Sequence, residues 1–273
     1  MLPPSRVTEE RISMSNIASA FENKKALIPF ITCGDPDLAT TEECVVRMEK
    51  AGASLIELGI PFSDPTAEGP VIQAASIRAL EAGATTDKIF EMVMRLREVR
   101  GVKVPMVFMT YANVVFSYGS ERFCEKAKAC GISGCILPDV PYEEKGEFAD
   151  VFAKYDMDLI SLVSPASEDR IQMISAEATG FIYVVSSLGV TGVRSSITTD
   201  IHALCAKIKE SSKVPCAVGF GISTPEQAKT MAGEADGVIV GSAIVKLLAQ
   251  YGKDAPDHVE EYVRSMVSAV SSI

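Results

Sequence analysis

The chain has 273 residues, 47% of them hydrophobic, and a formal net charge of −10 at neutral pH. This length and apolar content can build a large core in one or two domains, while the acidic balance disfavours nucleic acid as a partner. No apolar run reaches the roughly 18 residues of a membrane-spanning helix, and residues 1–11 lack the apolar stretch of a secretory signal. We therefore expect a cytoplasmic protein that does not bind membranes.

Eight short apolar segments rich in β-branched residues alternate with amphipathic segments along the chain. These predicted strands are Ala26–Cys33, Ser54–Ile60, Val104–Thr110, Ser133–Asp139, Asp158–Val163, Gly180–Ser186, Val214–Phe220 and Asp236–Gly241. The alternation predicts an α/β protein whose residues 1–273 form a single (β/α)8 TIM barrel domain. The alternative is a doubly wound open sheet, but residues 32–36 after the first strand read Thr-Cys-Gly-Asp-Pro rather than G-x-G-x-x-G.

Extra helices are predicted at both ends of the barrel. One precedes the first strand at about Thr8–Phe21, and one closes the chain, where apolar residues keep helical spacing at Val259, Val263, Met266 and Val270. Residues 71–100 hold two helical segments that are broken at Gly83. Residues Thr224–Gln227 form a capping box, and Gly233 is a candidate end for the helix that this box begins.

One predicted strand carries a carboxylate. Alternation with period two places Leu55, Glu57 and Gly59 on one face of the strand. An ionised carboxylate in an apolar interior costs several kcal/mol unless it is paired or functional. No basic residue stands at the C-terminal end of a predicted strand; Arg194 lies well into a loop. We therefore favour proton transfer by Glu57 over a structural ion pair. Without a strand-end lysine, Schiff-base chemistry is also disfavoured.

Other catalytic centres have little support in the composition. Seven scattered cysteines form no C-x-x-C pair, which is typical of reduced core thiols. The two histidines, His202 and His258, are too few for a histidine-rich zinc site. The acids Asp64 and Glu68 follow Glu57 on a proline-rich loop that offers no preformed oxygen cage, so we predict no metal site.

The loops after the last two predicted strands are rich in glycine. Active sites of such barrels form at the C-terminal ends of the strands, and phosphate commonly binds after strands 7 and 8. Bare backbone N–H groups and a helix that begins at Ser242 suit an anion there, so we predict a phosphate site at Gly219, Gly221, Gly241 and Ser242. Tight turns are the alternative explanation of these glycines.

The long polar segment 189–199 is either a lid that excludes water or a plain connection, and Thr198 or Thr199 could cap the helix that follows. Side chains at the same rim could enclose a flat ring: Phe30, Met109, Tyr111 and Tyr183. Core packing is the alternative for each of them.

Six motifs follow one another along nearly the whole chain: Pro29–Pro36, Glu57–Pro65, Tyr111–Asn113, Asp139–Pro141, Gly189–Gly192 and Gly219–Ser223. Together they resemble the alpha subunit of tryptophan synthase. The second motif, Glu-Leu-Gly-Ile-Pro-Phe-Ser-Asp-Pro, is the most specific of them. The resemblance implies a lyase that cleaves indole-3-glycerol phosphate to indole and glyceraldehyde 3-phosphate, the penultimate step of tryptophan biosynthesis.

The resemblance also assigns roles to residues. It implies that Glu57 protonates C3 of the indole ring and accepts the proton of the glycerol hydroxyl, and that Glu68 stabilises the positive charge at the ring nitrogen. The indole pocket would be lined by Phe30, Met109, Ile136 and Tyr183. The lid and phosphate site would include Thr191, Gly192, Gly219, Gly221, Gly241 and Ser242.

A partner is implied as well. In the family, Asp64 and Pro65 would meet a beta subunit that contains pyridoxal phosphate and receives indole through a tunnel, in an alpha2beta2 heterotetramer. The alpha chain itself would need no cofactor.

At one position the chain departs from the family's usual loop, Pro-Leu-Ala-Asp-Gly-Pro. Residues 65–70 read Pro-Thr-Ala-Glu-Gly-Pro, so Glu68 stands where the family has aspartate. Glutamate carries the same charge about 1.5 Å further from the backbone. We expect the role to be kept only if the loop backs away.

Two other functions remain open from the residues alone. One is a sugar-phosphate isomerase or epimerase in which Glu57 removes a C–H proton. The other is a subunit kept chiefly to activate a partner enzyme, with its own activity impaired by the change at position 68.

Overall fold

The computed structural model describes residues 16–22, 24–185, 200–219 and 221–273. Eight parallel strands close into one barrel in the order of the sequence, and β1 pairs with β8 to complete it. The strands are β1 (Ala26–Thr32), β2 (Ile56–Gly59), β3 (Met106–Met109), β4 (Gly134–Ile136), β5 (Asp158–Val163), β6 (Ile182–Val185), β7 (Cys216–Gly219) and β8 (Gly237–Val240). The predicted (β/α)8 barrel is therefore confirmed, and an open sheet is excluded.

Helices surround the barrel. In the described residues they are α1 (Leu38–Lys50), α2 (Pro70–Glu81), α3 (Thr86–Glu98), α4 (Ala112–Tyr118), α5 (Ser120–Ala129), α6 (Gly146–Lys154), α7 (Glu168–Ala176), α8 (Ile201–Ser211), α9 (Pro225–Glu234), α10 (Ser242–Tyr251) and α11 (Ala255–Val270). Short 3₁₀ helices occur at Asn16–Phe21, Tyr142–Glu144 and Gly252–Asp254. None of the described helices is long and apolar enough to cross a membrane.

The strands separate two apolar layers. Side chains that alternate inward fill the barrel interior, among them Ile28, Leu55, Val107, Ile160, Phe181, Ala217 and Ile239. The outward side chains, such as Ile56 and Leu58 of β2, pack under the surrounding helices. This is the alternation that the sequence predicts for β2, and it directs Glu57 into the interior.

The helix signals were correct in part. The capping box at Thr224–Gln227 begins α9 as predicted. Gly233 does not end that helix, which continues to Glu234. Asp200 caps α8 by accepting a hydrogen bond from the Ala203 N–H at 2.9 Å, so the predicted threonine cap is wrong. Most of the predicted N-terminal helix lies outside the described residues, and the described part, Asn16–Phe21, is a 3₁₀ helix.

A buried ion pair fixes the loop after β1 to α2. Asp35 is fully buried, and its two carboxylate oxygens accept hydrogen bonds from Nε and Nη2 of Arg78, each at 2.8 Å. A planar guanidinium matches a carboxylate in this two-bonded geometry. Because α2 begins at Pro70, directly after the acidic loop, the pair also fixes the position of that loop.

We predict that Arg78→Met destabilises the protein by about 3 kcal/mol, because it leaves the Asp35 carboxylate buried without its cation. Urea denaturation followed by circular dichroism measures this change. The matched control is Arg170→Met, which removes a two-bonded pair to Glu143 on the surface; there the loss should stay below about 1 kcal/mol. Equal losses in the two variants would contradict a special role for the buried pair.

Candidate active site

Glu57 lies in the barrel interior near the C-terminal end of β2. Its side chain is 1% exposed, and Oε2 is buried with no hydrogen-bond partner among the described residues. On the two neighbouring strands, the residues in register with Glu57 are Phe30 of β1 and Val107 of β3. No ion pair joins Glu57 to a described basic residue, so the described surroundings give no support to a structural salt bridge.

The surroundings keep Glu57 protonated near neutral pH. Burial in the apolar interior raises the pKa of its carboxyl to about 8, and the negative charge of Glu68 adds to this rise. Both effects disfavour the anion, the first because it is poorly solvated and the second by like-charge repulsion. A neutral carboxylic acid in this position can donate a proton.

Glu68 is brought to the same site by the loop between β2 and α2. It is 7% exposed, and Gln73 Nε2 donates a hydrogen bond to its backbone carbonyl at 2.7 Å. Burial raises the pKa of its carboxyl, and a smaller effect of Tyr111 lowers it. The net result is a pKa of about 7. The two acids therefore differ in the expected direction, with Glu68 the more readily ionised of the pair.

The four side chains predicted to line an aromatic pocket lie together in the interior. Phe30, Met109, Ile136 and Tyr183 belong to the same buried cluster and come from β1, β3, β4 and β6. Each follows the inward alternation of its strand. The structure therefore places a ring of apolar and aromatic side chains around the buried acid.

Two glycines make room for these aromatic rings. A Cβ atom on Gly59 would lie 2.6 Å from Cζ of Phe30, and one on Gly219 would lie 2.5 Å from the hydroxyl of Tyr183. Neither distance is tolerable without movement of the ring. The sequence analysis placed Gly59 on the inward face of β2 but did not assign it to the site. Its position two residues after Glu57, on the same face, is the signal that could have identified it. Gly219 has a packing role in addition to the predicted phosphate role.

The predicted phosphate residues lie at the ends of β7 and β8. Gly221 is half-buried and has a positive φ of +80°. Gly241 is the N-cap residue of α10, and Ser242 begins that helix. The N-terminus of α10 therefore directs free N–H groups and a partial positive charge to the mouth of the barrel. Thr191 and Gly192, and the whole candidate lid at 189–199, lie outside the described residues.

The residues predicted to face a partner lie on the acidic loop. Asp64 is exposed and Pro65 is half-buried. Ser63 Oγ donates a hydrogen bond to Asp64 Oδ2 at 2.5 Å. The loop thus has one end in the site, at Glu68, and the other at the surface. Among the described residues, no group of three or more histidine, cysteine or acidic side chains is arranged to hold a metal ion.

Comparison with known proteins identifies the family. The family model for the tryptophan synthase alpha chain matches residues 17–271. The chain belongs to this family. It is 48% identical over 259 residues to the tryptophan synthase alpha chain of Lacticaseibacillus casei, and the match covers 95% of this chain and 97% of that one.

Solved structures agree with the family assignment. Tryptophan synthase subunit alpha from Legionella pneumophila superposes with a TM-score of 0.84 at 37% identity, covering 95% of this chain and 100% of that one. A chain of the tryptophan synthase a2b2 complex from Pyrococcus furiosus gives 0.79 at 32% identity, covering 90% and 98%. As a tryptophan synthase alpha chain, the protein is a lyase that cleaves indole-3-glycerol phosphate to indole and glyceraldehyde 3-phosphate in tryptophan biosynthesis. The isomerase alternative is thereby set aside.

We predict that Gly59→Ala raises KM for indole-3-glycerol phosphate by about 10-fold, because the new methyl group displaces the Phe30 ring from the pocket wall. Steady-state kinetics measures the change. Gly233→Ala is the matched control: it lies in α9, and an added Cβ meets nothing within 4 Å. This control should keep wild-type kinetics and stability, or gain slightly in stability. An unchanged KM in Gly59→Ala would contradict the packing argument.

Proposed function

We propose that Glu57 is the acid and base of the cleavage reaction. Its neutral carboxyl, buried in an apolar interior with an oxygen that no described residue binds, is the observation that carries this proposal. In the first step, Glu57 donates its proton to C3 of the indole ring. The protonated ring is then an electron sink, with positive charge shared by the ring nitrogen.

The second step breaks the carbon–carbon bond. The Glu57 carboxylate removes the proton of the hydroxyl on the adjacent glycerol carbon, that carbon becomes the aldehyde of glyceraldehyde 3-phosphate, and the bonding electrons return to the ring as indole is released. Glu57 ends the cycle protonated, so one residue serves as donor and acceptor. Because the proton is returned, the reaction needs no oxidant, reductant or cofactor in this chain.

Glu68 is proposed to stabilise the positive charge at the ring nitrogen. Its carboxylate is nearly fully buried, where a negative charge acts strongly on a nearby cation. The Coulombic effect of Glu68 on Glu57 supports a shared site for the two acids.

The substrate is proposed to lie between the apolar ring and the strand ends after β7 and β8. The indole would pack among Phe30, Met109, Ile136 and Tyr183. The phosphate would accept hydrogen bonds from the backbone at Gly219, Gly221, Gly241 and Ser242, with Thr191 and Gly192 contributing from the segment 189–199. The N-terminus of α10 supports the anion site, because helix ends favour negative charge.

The partner is proposed to be a beta subunit that contains pyridoxal phosphate, in an alpha2beta2 heterotetramer in the cytoplasm. Exposed Asp64 and neighbouring Pro65 would contact it, since they lie on the loop that carries Glu68 into the site. A contact there would act directly on the position of a catalytic acid. The closed barrel formed by all eight strands supports a single domain over residues 1–273.

We predict that Glu57→Gln lowers the rate of indole release by at least about 100-fold, because the amide keeps the size of the side chain but cannot exchange a proton. Indole formation from indole-3-glycerol phosphate is measured with and without a beta subunit. The matched control is Glu98→Gln, an exposed glutamate on α3, which should keep wild-type turnover. Near-normal turnover in Glu57→Gln would remove this residue from the mechanism. Zero activity of the wild-type chain in both assays would favour a purely activating subunit.

We predict a bell-shaped dependence of kcat/KM on pH for the isolated chain. Activity falls below about pH 7 as Glu68 becomes protonated and above about pH 8 as Glu57 loses its proton. In Glu68→Gln the basic limb should move to lower pH, because removal of the neighbouring negative charge lowers the pKa of Glu57. Stopped assays across pH 5.5–9.5, a range that extends about one and a half units beyond each limb, test this. A basic limb that stays in place in the variant would contradict the coupling between the two acids.

A further inference from the structure

Tyr111 is a buried residue at the mouth of the barrel to which the mechanism gives no role. It follows β3 as the N-cap residue of α4 and is 4% exposed. Its ring contacts that of Phe62 on the acidic loop, with 5.4 Å between the centroids and a 33° angle between the planes. The ring of Tyr111 therefore supports the loop from the side of β3.

The hydroxyl of Tyr111 is fixed against this loop. It accepts a hydrogen bond from the backbone N–H of Ala67 at 3.1 Å. That bond uses a lone pair and leaves the hydrogen of the phenol available to a second partner. Tyr111 also lowers the pKa of the adjacent Glu68 carboxyl, as a hydrogen-bond donor does. The hydroxyl is therefore held next to Glu68 with a hydrogen to donate.

The charges around Glu68 make this hydrogen bond consequential. The titratable groups that face the site are Glu57 from β2, Tyr183 from β6 and, toward Tyr111, Asp139 after β4. No described lysine or arginine forms an ion pair with Glu68. Each of these neighbours is acidic or neutral, so none favours the anion, and Tyr111 is the group that opposes the rise in the pKa of Glu68 caused by burial.

On the basis of the proposed function, we propose that Tyr111 is the positioning residue of Glu68: its hydroxyl, fixed by the Ala67 backbone, donates a hydrogen bond that holds the Glu68 carboxylate over the site. Tyr111 acts through Glu68 and needs no contact with the substrate.

The test begins with Tyr111→Phe, which removes the hydroxyl and keeps the ring that contacts Phe62. A hydrogen bond to a charged group in a buried site is worth enough that kcat should fall about 10-fold or more, while KM changes by less than about 2-fold. The acidic limb of the pH profile should move upward by about one pH unit, because the anion of Glu68 loses its donor. Tyr155→Phe is the matched control, since its hydroxyl binds Glu121 at the surface.

A second measurement separates positioning from a general structural role. In the Glu68→Gln background, Tyr111→Phe should cause little further loss of kcat, because the two residues act as one unit. Carbon-detected NMR titration of the Glu68 carboxyl should show its pKa raised in Tyr111→Phe and unchanged in Tyr155→Phe. Circular dichroism melts of each variant confirm that the folded protein is being compared.

The outcomes are distinct. Wild-type kcat and an unmoved Glu68 titration in Tyr111→Phe, or a full additional loss in the Glu68→Gln background, would overturn the positioning role. An unimpaired Glu68→Gln would overturn it as well, because Tyr111 would then have no catalytic acid to position. Failure of the proposed function itself would appear separately, as near-normal turnover in Glu57→Gln.

Discussion

The burial of one carboxyl group in an apolar barrel is the constraint on which the site depends. Water is excluded around Glu57, and no described cation compensates its charge, so the neutral acid is the stable form near pH 7. The same exclusion that makes it an acid would strengthen every charge placed nearby. A second acid, Glu68, is tolerated beside it only because one of the two can hold a proton while the other is ionised.

The fold explains how such a costly arrangement is stable. Tightly packed interior side chains below the site and the ring of helices outside it provide the apolar burial of the barrel. The loop that brings Glu68 inward has independent anchors. Tyr111 holds its centre, and the helix that follows it is fixed by the buried Asp35–Arg78 pair. Reactive groups are thus mounted between rigid elements rather than on a free loop.

Much of the fold follows from local pattern, and much of the site does not. All eight strands are visible as apolar runs, and alternation alone directs Glu57 inward, because both depend on neighbours in the chain. The β5 strand has the predicted bounds, Asp158–Val163. Others are shorter than the runs, as in β2 at Ile56–Gly59, since buried strand ends extend beyond the hydrogen-bonded ladder. The hydrogen bond between Tyr111 and the acidic loop and the need for glycine at position 59 depend on contacts between separate elements. Such contacts leave no periodic signal. The cap at Asp200 was missed because several polar residues near it could serve.

The contact between Phe30 and its neighbouring glycines has a consequence for how this sequence can diverge. The Phe30 ring occupies the space that a side chain at Gly59 of β2 would need. It also lies 3.3 Å from the position that a Cβ on Gly241, after β8, would take. These three positions are therefore coupled: a Cβ on Gly59 would force the ring to move, and a Cβ on Gly241 would require it to shift by a few tenths of an ångström. A smaller residue in place of Phe30 would relieve both contacts at once, so it is the simplest first step toward a pocket for a different aromatic group.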